Sequence, residues 1–301
     1  MMPLAAARAA TSKGTITYLT PGLDIQYWRY LSNGVEGVVK AAGYDYVALS
    51  SDRSSEIQLN NAKNAIARGS VGIVLSPTDT TTAPAVLGVA ARSHVPVVIG
   101  DIGTTSGEYL SFVITDNFKG AYALGKVLAK EMIAKGWKDG SVGIIAISQA
   151  RKNGQARTAG FRKAMQEAGI THSAGLQQME TYTAEETFKF VQDMLTANPN
   201  LRGLFIETAN PLMGAVRALK AARREVLIAG FDGTPETMKL IESGKIIGTG
   251  IQQPYRMGVD SGRLLVEHLA GKEVPKKVVL QVLVVTTENV HKMLPIVEKD
   301  V

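Results

Sequence analysis

The chain repeats itself. Asp101 and Asp232 stand 131 positions apart, each closing an apolar run, Val95 to Ile99 in the first case and Val226 to Ala229 in the second. The same offset relates Val71-Gly72-Ile73-Val74-Leu75 to Arg202-Gly203-Leu204-Phe205-Ile206 and carries Asp79 onto Asn210. A spacing kept over two strand-like runs and the helical segment between them marks a duplicated α/β unit. The expected fold is therefore two like domains. Each presents a carboxylate at the carboxyl end of a strand, where open α/β sheets collect their ligands, and a ligand held between the two is the expectation.

Length and composition agree with this. At 301 residues the chain is long for one core and comfortable for two α/β domains. Hydrophobic residues make up 45% and charged ones 20%, which excludes disorder and fibrous repeats. The net charge of +6 is scattered; its densest stretch, Arg217, Lys220, Arg223 and Arg224, lies at helical spacing and reads as a solvated face, so no nucleic-acid partner is expected. With no cysteine, disulfides, thiolate metal sites and a cysteine nucleophile are excluded. Pro3-Leu4-Ala5-Ala6-Ala7-Arg8-Ala9-Ala10 has small residues placed like the end of a secretory signal, without the basic start and apolar middle; the expectation is an exported chain whose signal has been removed, against a plain Ala-rich terminus. No apolar stretch reaches the length of a membrane span, and no membrane insertion is expected.

Short β-branched runs alternate with amphipathic segments: strands Thr15 to Leu19, Tyr46 to Leu49, Val71 to Leu75 and Val95 to Ile99, separated by helices Tyr27 to Ala42, Glu56 to Arg68 and Thr82 to Ser93. One helix between successive strands requires parallel crossover units. The second half repeats the pattern, with strands Val142 to Ile147, Gly203 to Ile206, Val226 to Ala229 and Ile246 to Ile251, and a weaker one at Leu176 to Thr181. A last apolar run, Val278 to Val285, is expected to be a strand. Crossings between domains are expected at Ser111 to Ile114, at Gln252-Gln253-Pro254, where the proline opens a helix, and at Val284 to Thr287. The domains are then 1–115 with 253–284, and 116–252 with 285–301.

The recurrent chemical motifs fail on their details. Gly120 to Gly125-Lys126 nearly spells a phosphate-binding loop, but Val127 stands where magnesium needs a hydroxyl. Gly248-Thr249-Gly250 lacks the third glycine of a dinucleotide fingerprint and comes late in the chain. His94, His172, His268 and His291 have no metal-binding spacing, and no Gly-x-Ser-x-Gly elbow is present. No cofactor, metal or catalytic group is expected, and Asp101 and Asp232 read as hydrogen-bond acceptors for a ligand. The pair Tyr27-Trp28, just after the first strand, suits stacking on a sugar ring, with packing of that helix onto its sheet as the competing role.

Taken in order, Val95 to Asp101, Thr115-Asp116-Asn117, Arg157 before Ala159-Gly160-Phe161, Gly230-Phe231-Asp232-Gly233-Thr234-Pro235 and Gln252-Gln253-Pro254 resemble the ribose-binding branch of the periplasmic sugar-binding proteins, from about Thr15 to Thr287. The resemblance implies two Rossmann-like lobes, each a parallel sheet flanked by helices, joined by a three-segment hinge. It implies a monomeric periplasmic receptor that takes up a sugar or polyol in the cleft between the lobes and delivers it to the permease of an ABC importer. Carried over by position, Asp101 and Asp232 would accept from ligand hydroxyls, Arg157 would donate, Gln252 would do both, and Tyr27 and Trp28 would stack on the ring from one lobe with Tyr182 and Phe231 from the other. Alanine at Asp232 or Arg157 would then weaken binding severely with little loss of fold.

The departures bear on the ligand. Where the ribose-type pattern has an arginine after the first-lobe aspartate, this chain has Ile102; where it has Asn-Asp, this chain has Thr208-Ala209; and its early asparagine pair is replaced by Asp24-Ile25. Ribose gives way to another sugar, a deoxysugar, a polyol or a cyclic signalling molecule. Asp24 is either a further acceptor or the cap of the helix that follows. Two other outputs share the fold: the effector domain of a lac-repressor-type regulator, which needs a helix-turn-helix before the first strand, and a receptor that docks on a membrane sensor kinase.

Overall fold

The computed structural model describes residues 12–299; Pro3 to Ala10, which carry the secretory-signal expectation, lie outside the described residues. The chain divides into two compact units, the first running to Val113 and resuming over Pro254–Val278, the second covering Ile114–Gln253 and resuming at Val279.

In chain order the first unit supplies β1 (Thr15–Thr20), α1 (Gln26–Ala41), β2 (Asp45–Ser50), α2 (Ser55–Ala67), β3 (Ser70–Leu75), α3 (Ala83–Arg92), β4 (Val97–Gly100) and β5 (Ser111–Thr115), whose last residues enter the second unit. There follow α4 (Asn117–Ala134), β6 (Ser141–Ala146), α5 (Lys152–Glu167), β7 (Ser173–Gln178), α6 (Ala184–Ala197), β8 (Leu201–Ile206), α7 (Leu212–Ala222), β9 (Leu227–Phe231), α8 (Pro235–Glu242) and β10 (Gly248–Ile251). The chain then returns through α9 (Pro254–Leu269) and β11 (Lys277–Leu280) and ends with β12 (Leu283–Thr286) and α10 (Val290–Lys299).

The duplication is complete at the level of topology. One sheet has the order β11-β5-β4-β3-β1-β2 and the other β12-β10-β9-β8-β6-β7, the same order element for element. The pairs β1–β2, β1–β3, β3–β4 and β4–β5 are parallel, as are β6–β7, β6–β8, β8–β9 and β9–β10; β12 runs antiparallel to β10. In each sheet the winding reverses between the first and third strands, and the carboxyl ends beside that reversal are where a ligand finds an open crevice.

Burial on both faces explains the continuous apolar runs of the central strands. In the first unit Leu19, Ile73, Leu75 and Ile99 meet Val86, Leu87 and Ala90 of α3. In the second, Val142, Ile144, Phe205 and Phe231 meet Leu124, Leu128 and Met132 of α4 and Phe161 of α5. Two helix pairs pack backbone to backbone at equivalent glycines. A Cβ on Gly34 of α1 would lie 2.2 Å from the Tyr255 carbonyl oxygen of α9, and one on Gly160 of α5 would lie 2.2 Å from that of Phe118 in α4.

The structure changes three of the sequence readings. The apolar run Val278 to Val285 is not one strand: it splits at Gln281 and Val282 into β11 and β12, which belong to different sheets. The third passage between units accordingly falls at Val278/Val279, ahead of Val284 to Thr287. The weak strand expected at Leu176 to Thr181 is β7, shifted toward the amino terminus, with a register irregularity against β6.

Candidate functional site

The two aspartates that defined the repeat share an unusual backbone. Asp101 follows β4 and Asp232 follows β9, and both have φ of +68°, the left-handed region. That conformation costs a non-glycine residue on the order of 1 kcal/mol, and it recurs at functional positions. It turns the chain sharply off the strand. After Asp232, Thr234 accepts the Thr237 N–H on its side chain and Pro235 opens α8, so Gly230 to Pro235 reads as strand end, turn, cap and helix start.

In the second unit Asp232 is the centre of a donor cluster. Thr208 Oγ1 donates to its Oδ2 at 2.9 Å and Gln252 Nε2 to its Oδ1 at 2.6 Å, while Arg157 Nη1 lies 3.8 Å from Oδ2. Its main chain is held from β10, the N–H donating to the Gly250 carbonyl and the carbonyl accepting from Thr249 Oγ1. Arg157, 2% exposed, donates from Nε to Asn117 Oδ1 at 2.8 Å and from Nη1 to the Glu207 carbonyl at 2.6 Å. Its guanidinium lies over the Phe231 ring, 4.0 Å from the centroid. These residues come from the carboxyl ends of β8, β9 and β10 and from α4 and α5.

In the first unit the counterpart is Asp101. Tyr27, in the first turn of α1, donates its hydroxyl to Asp101 Oδ1 at 3.0 Å, and its ring meets Trp28 edge-on with centroids 4.9 Å apart. Trp28 is only 5% exposed and takes the packing role rather than offering an open face, whereas Tyr27 is half-buried. Asp24 does not cap α1. Ile25 occupies the cap position with no side-chain bond, and the Asp24 carboxylate instead pairs with Arg53 at the exposed rim. Ile102 is fully buried and Ala209 nearly so; both apolar departures from the ribose-type pattern are core positions.

Two assignments change. Phe231 is fully buried in the second core, so its ring cannot stack on a ligand; it supports the Arg157 guanidinium from below. Arg157 is tied to two protein acceptors and is part of the framework as well as a donor. Tyr182, half-buried with φ of +59°, accepts the Ser148 N–H on its hydroxyl at 3.1 Å.

Sequence reasoning passed over two residues. Asn117 stood only as part of a crossing segment, yet it orients Arg157 while donating to the Thr115 carbonyl. Glu207 is fully buried at the end of β8. Its Oε1 accepts from Thr158 Oγ1 at 2.6 Å and its Oε2 from the Ile147 N–H at 3.1 Å. Burial pushes its carboxyl up to about 7, against the opposing effects of the Thr158 bond, the Arg157 charge and the Ile147 bond. The 131-residue offset places Glu207 opposite Ser76, a mismatch in the repeat that was visible in the sequence. Asp79 answers to a different need. Although partial burial pushes its carboxyl up, bonds from Thr81, Thr82 and Ser55 hold it below the ordinary range, and it fixes the entry to α3.

Comparison with known proteins shows the family and the fold. A family model described as a periplasmic binding protein domain matches residues 16–273. The ribose import binding protein of Haemophilus influenzae is 27% identical over 286 residues, covering 95% of this chain and 96% of the relative. The D-apiose import binding protein of Paraburkholderia graminis is 26% identical over 250 residues, covering 82% and 78%. Among solved structures, a carbohydrate transporter solute binding protein from Agrobacterium radiobacter in complex with D-arabinose superposes with a TM-score of 0.86 at 26% identity, covering 95% of this chain and 97% of the other. An ABC transporter periplasmic solute binding protein from Actinobacillus succinogenes with bound D-allose gives 0.84 at 25%, covering 93% and 100%.

Proposed function

The chain belongs to the periplasmic binding protein domain family, and from that premise we propose that it captures one small, uncharged, hydroxyl-rich solute, a sugar or polyol, and delivers it to an ABC importer from the periplasm. The observation that carries this reading is the cluster of Thr208, Gln252 and Arg157 around Asp232, answered in the other unit by Asp101 and Tyr27.

A sugar hydroxyl both donates and accepts, so a site for it needs acceptors and donors side by side. Asp101 and Asp232 supply the acceptors, and Arg157 and Gln252 the donors. Hydrogen bonds to ionised groups are about twice as strong as neutral ones. A micromolar affinity asks for about 8 kcal/mol net, within reach of a few such bonds and an apolar ring face against Tyr27. Two carboxylates against one guanidinium disfavour an anionic solute. The buried Ile102 and Ala209 remove two polar positions of the ribose-type pattern, which favours a solute with a hydroxyl arrangement other than ribose. Relatives bind D-allose and D-arabinose, and aldoses of these sizes head the candidates. As a receptor, the protein binds its solute without converting it, and the solute favours the state that it binds better.

A thermal-shift screen across aldopentoses, aldohexoses, deoxysugars, ketoses and polyols, followed by calorimetry on the hits, tests this. A selective rise in Tm with one or a few sugars is expected, and the sugar should be recovered unchanged. A screen in which no sugar or polyol shifts Tm, or in which a sugar is consumed, refutes the reading.

A further inference from the structure

Glu207 is fully buried, and a buried carboxyl without a cation in its own hydrogen-bond shell is costly to keep. It makes contact with α5 twice. Its side chain takes the Thr158 hydroxyl, and its main-chain carbonyl takes Nη1 of the adjacent Arg157. Through Oε2 it also holds the Ile147 N–H at the end of β6, and the next residue, Ser148, donates its N–H to Tyr182. One residue thus ties the ends of β8 and β6 to the turn of α5 that carries Arg157.

We propose that Glu207 is the positioning residue of this half-site, and that a proton held along Glu207, Thr158 and Gln149 sets the seating of Arg157 and makes solute binding proton-linked. The inference rests on the function proposed above. With Glu207 ionised, Thr158 Oγ1 donates to Glu207 Oε1. With the proton on Oε1, the carboxyl donates to Thr158 Oγ1, whose own hydrogen turns to Gln149 Oε1, 3.4 Å away. No bond other than O–H is made or broken, and the proton comes from solvent.

The charged groups acting on Glu207 are Arg157 and Arg162, both on α5, and Arg157 Nη1 in turn lies 3.8 Å from Asp232 Oδ2 at the end of β9. The end of β6 contributes uncharged partners, the Ile147 N–H and, through Thr158, the Gln149 amide. Arg157 and Asp232 balance one another. An ionised Glu207 adds an uncompensated negative charge beside them, and a solute that expels water from Arg157 and Asp232 raises the cost of that charge. Binding therefore takes up a proton, and affinity falls as pH rises through about 7, where the free carboxyl titrates. Each unit by which loading raises the carboxyl's pKa corresponds to about a tenfold change in Kd.

The test compares wild type with Glu207→Gln, which keeps the size and an acceptor for Thr158 but does not titrate. One arm needs no ligand. A Glu raised from its ordinary value of 4.5 to about 7 stabilises the fold below pH 4.5, a contribution lost as pH rises toward 7, so the wild type should lose stability relative to Glu207→Gln over that window and run parallel to it above. The second arm is calorimetry at pH 6 and pH 8, in two buffers of different ionisation enthalpy, with the aldose giving the largest thermal shift. Expected are proton uptake and weaker binding at pH 8 for wild type, and no proton uptake and a flat profile for Glu207→Gln. Equal pH dependence of Kd in the two proteins, or a stability difference that is flat from pH 4.5 to 7, overturns the proposal. Failure of every sugar to bind removes the functional reading and the inference with it, whereas binding with equal pH profiles removes only the inference.

Discussion

Asp232→Asn separates charge from shape at the centre of the second half-site. The substitution keeps one acceptor oxygen and turns the other into a donor. The fold can absorb this: with the new amide nitrogen toward Thr208, the Thr208 hydroxyl rotates to accept in the bond now at 2.9 Å, and the 2.6 Å bond from Gln252 Nε2 to the retained oxygen is kept. The stability change should stay under about 1 kcal/mol, a Tm shift of about 2–4 °C. Binding has no such escape. A hydrogen bond to a charged acceptor contributes about 1.5–3 kcal/mol against about 0.5–1.5 for a neutral one, so two solute hydroxyls on Asp232 would lose about 2–3 kcal/mol together. At about 1.4 kcal/mol per decade this is a roughly 30- to 150-fold rise in Kd. Calorimetry with the sugar found by screening, paired with thermal unfolding of the free protein, measures both. A Kd within about threefold of wild type shows that Asp232 does not touch the solute.

Arg157→Ala should cost stability as well as affinity, because it strips donors from Asn117 Oδ1 and the Glu207 carbonyl and uncovers Phe231. Two orphaned buried acceptors at about 1–3 kcal/mol each put the loss at about 2–6 kcal/mol by denaturant titration, and a loss near zero would return Arg157 to a pure ligand donor. Gly160→Ala should force α4 and α5 apart, at about 1–3 kcal/mol or more, whereas Gly37→Ala, where an added Cβ meets no atom within 4 Å, should be neutral or stabilising. Equal stability of the two variants would show that the close approach is not needed. Asp79, with its carboxyl held below its ordinary value of 3.8, contributes stability above that value that is lost as pH falls through the lower folded value. Asp79→Ala should therefore lower Tm at neutral pH and flatten the acid limb of the Tm profile, and parallel wild-type and variant curves would contradict the cause assigned here.

The duplicated architecture was legible because it is written in spacing. The offset from Asp101 to Asp232 survives as equal sheet order and equal backbone turns at both aspartates. Periodicity could not show the division of Val278 to Val285, since a run that leaves one sheet for another keeps its apolar pattern throughout. Phe231 and Trp28 illustrate a second limit. An aromatic beside a ligand-facing residue reads the same whether its ring faces the ligand or the core, and only burial decides. Glu207 was missed because a lone carboxylate after an apolar strand carries no motif; its importance lies in three partners, Thr158, Ile147 and Arg157, that the sequence scatters over 60 positions.

The most direct test of a shared grip is calorimetric stoichiometry on wild type, Asp101→Asn and Asp232→Asn with the same sugar. One molecule bound per chain, with affinity cut severely by either single substitution, is expected if both units hold one solute. Two independent sites, or binding that ignores the substitution in one unit, would contradict it.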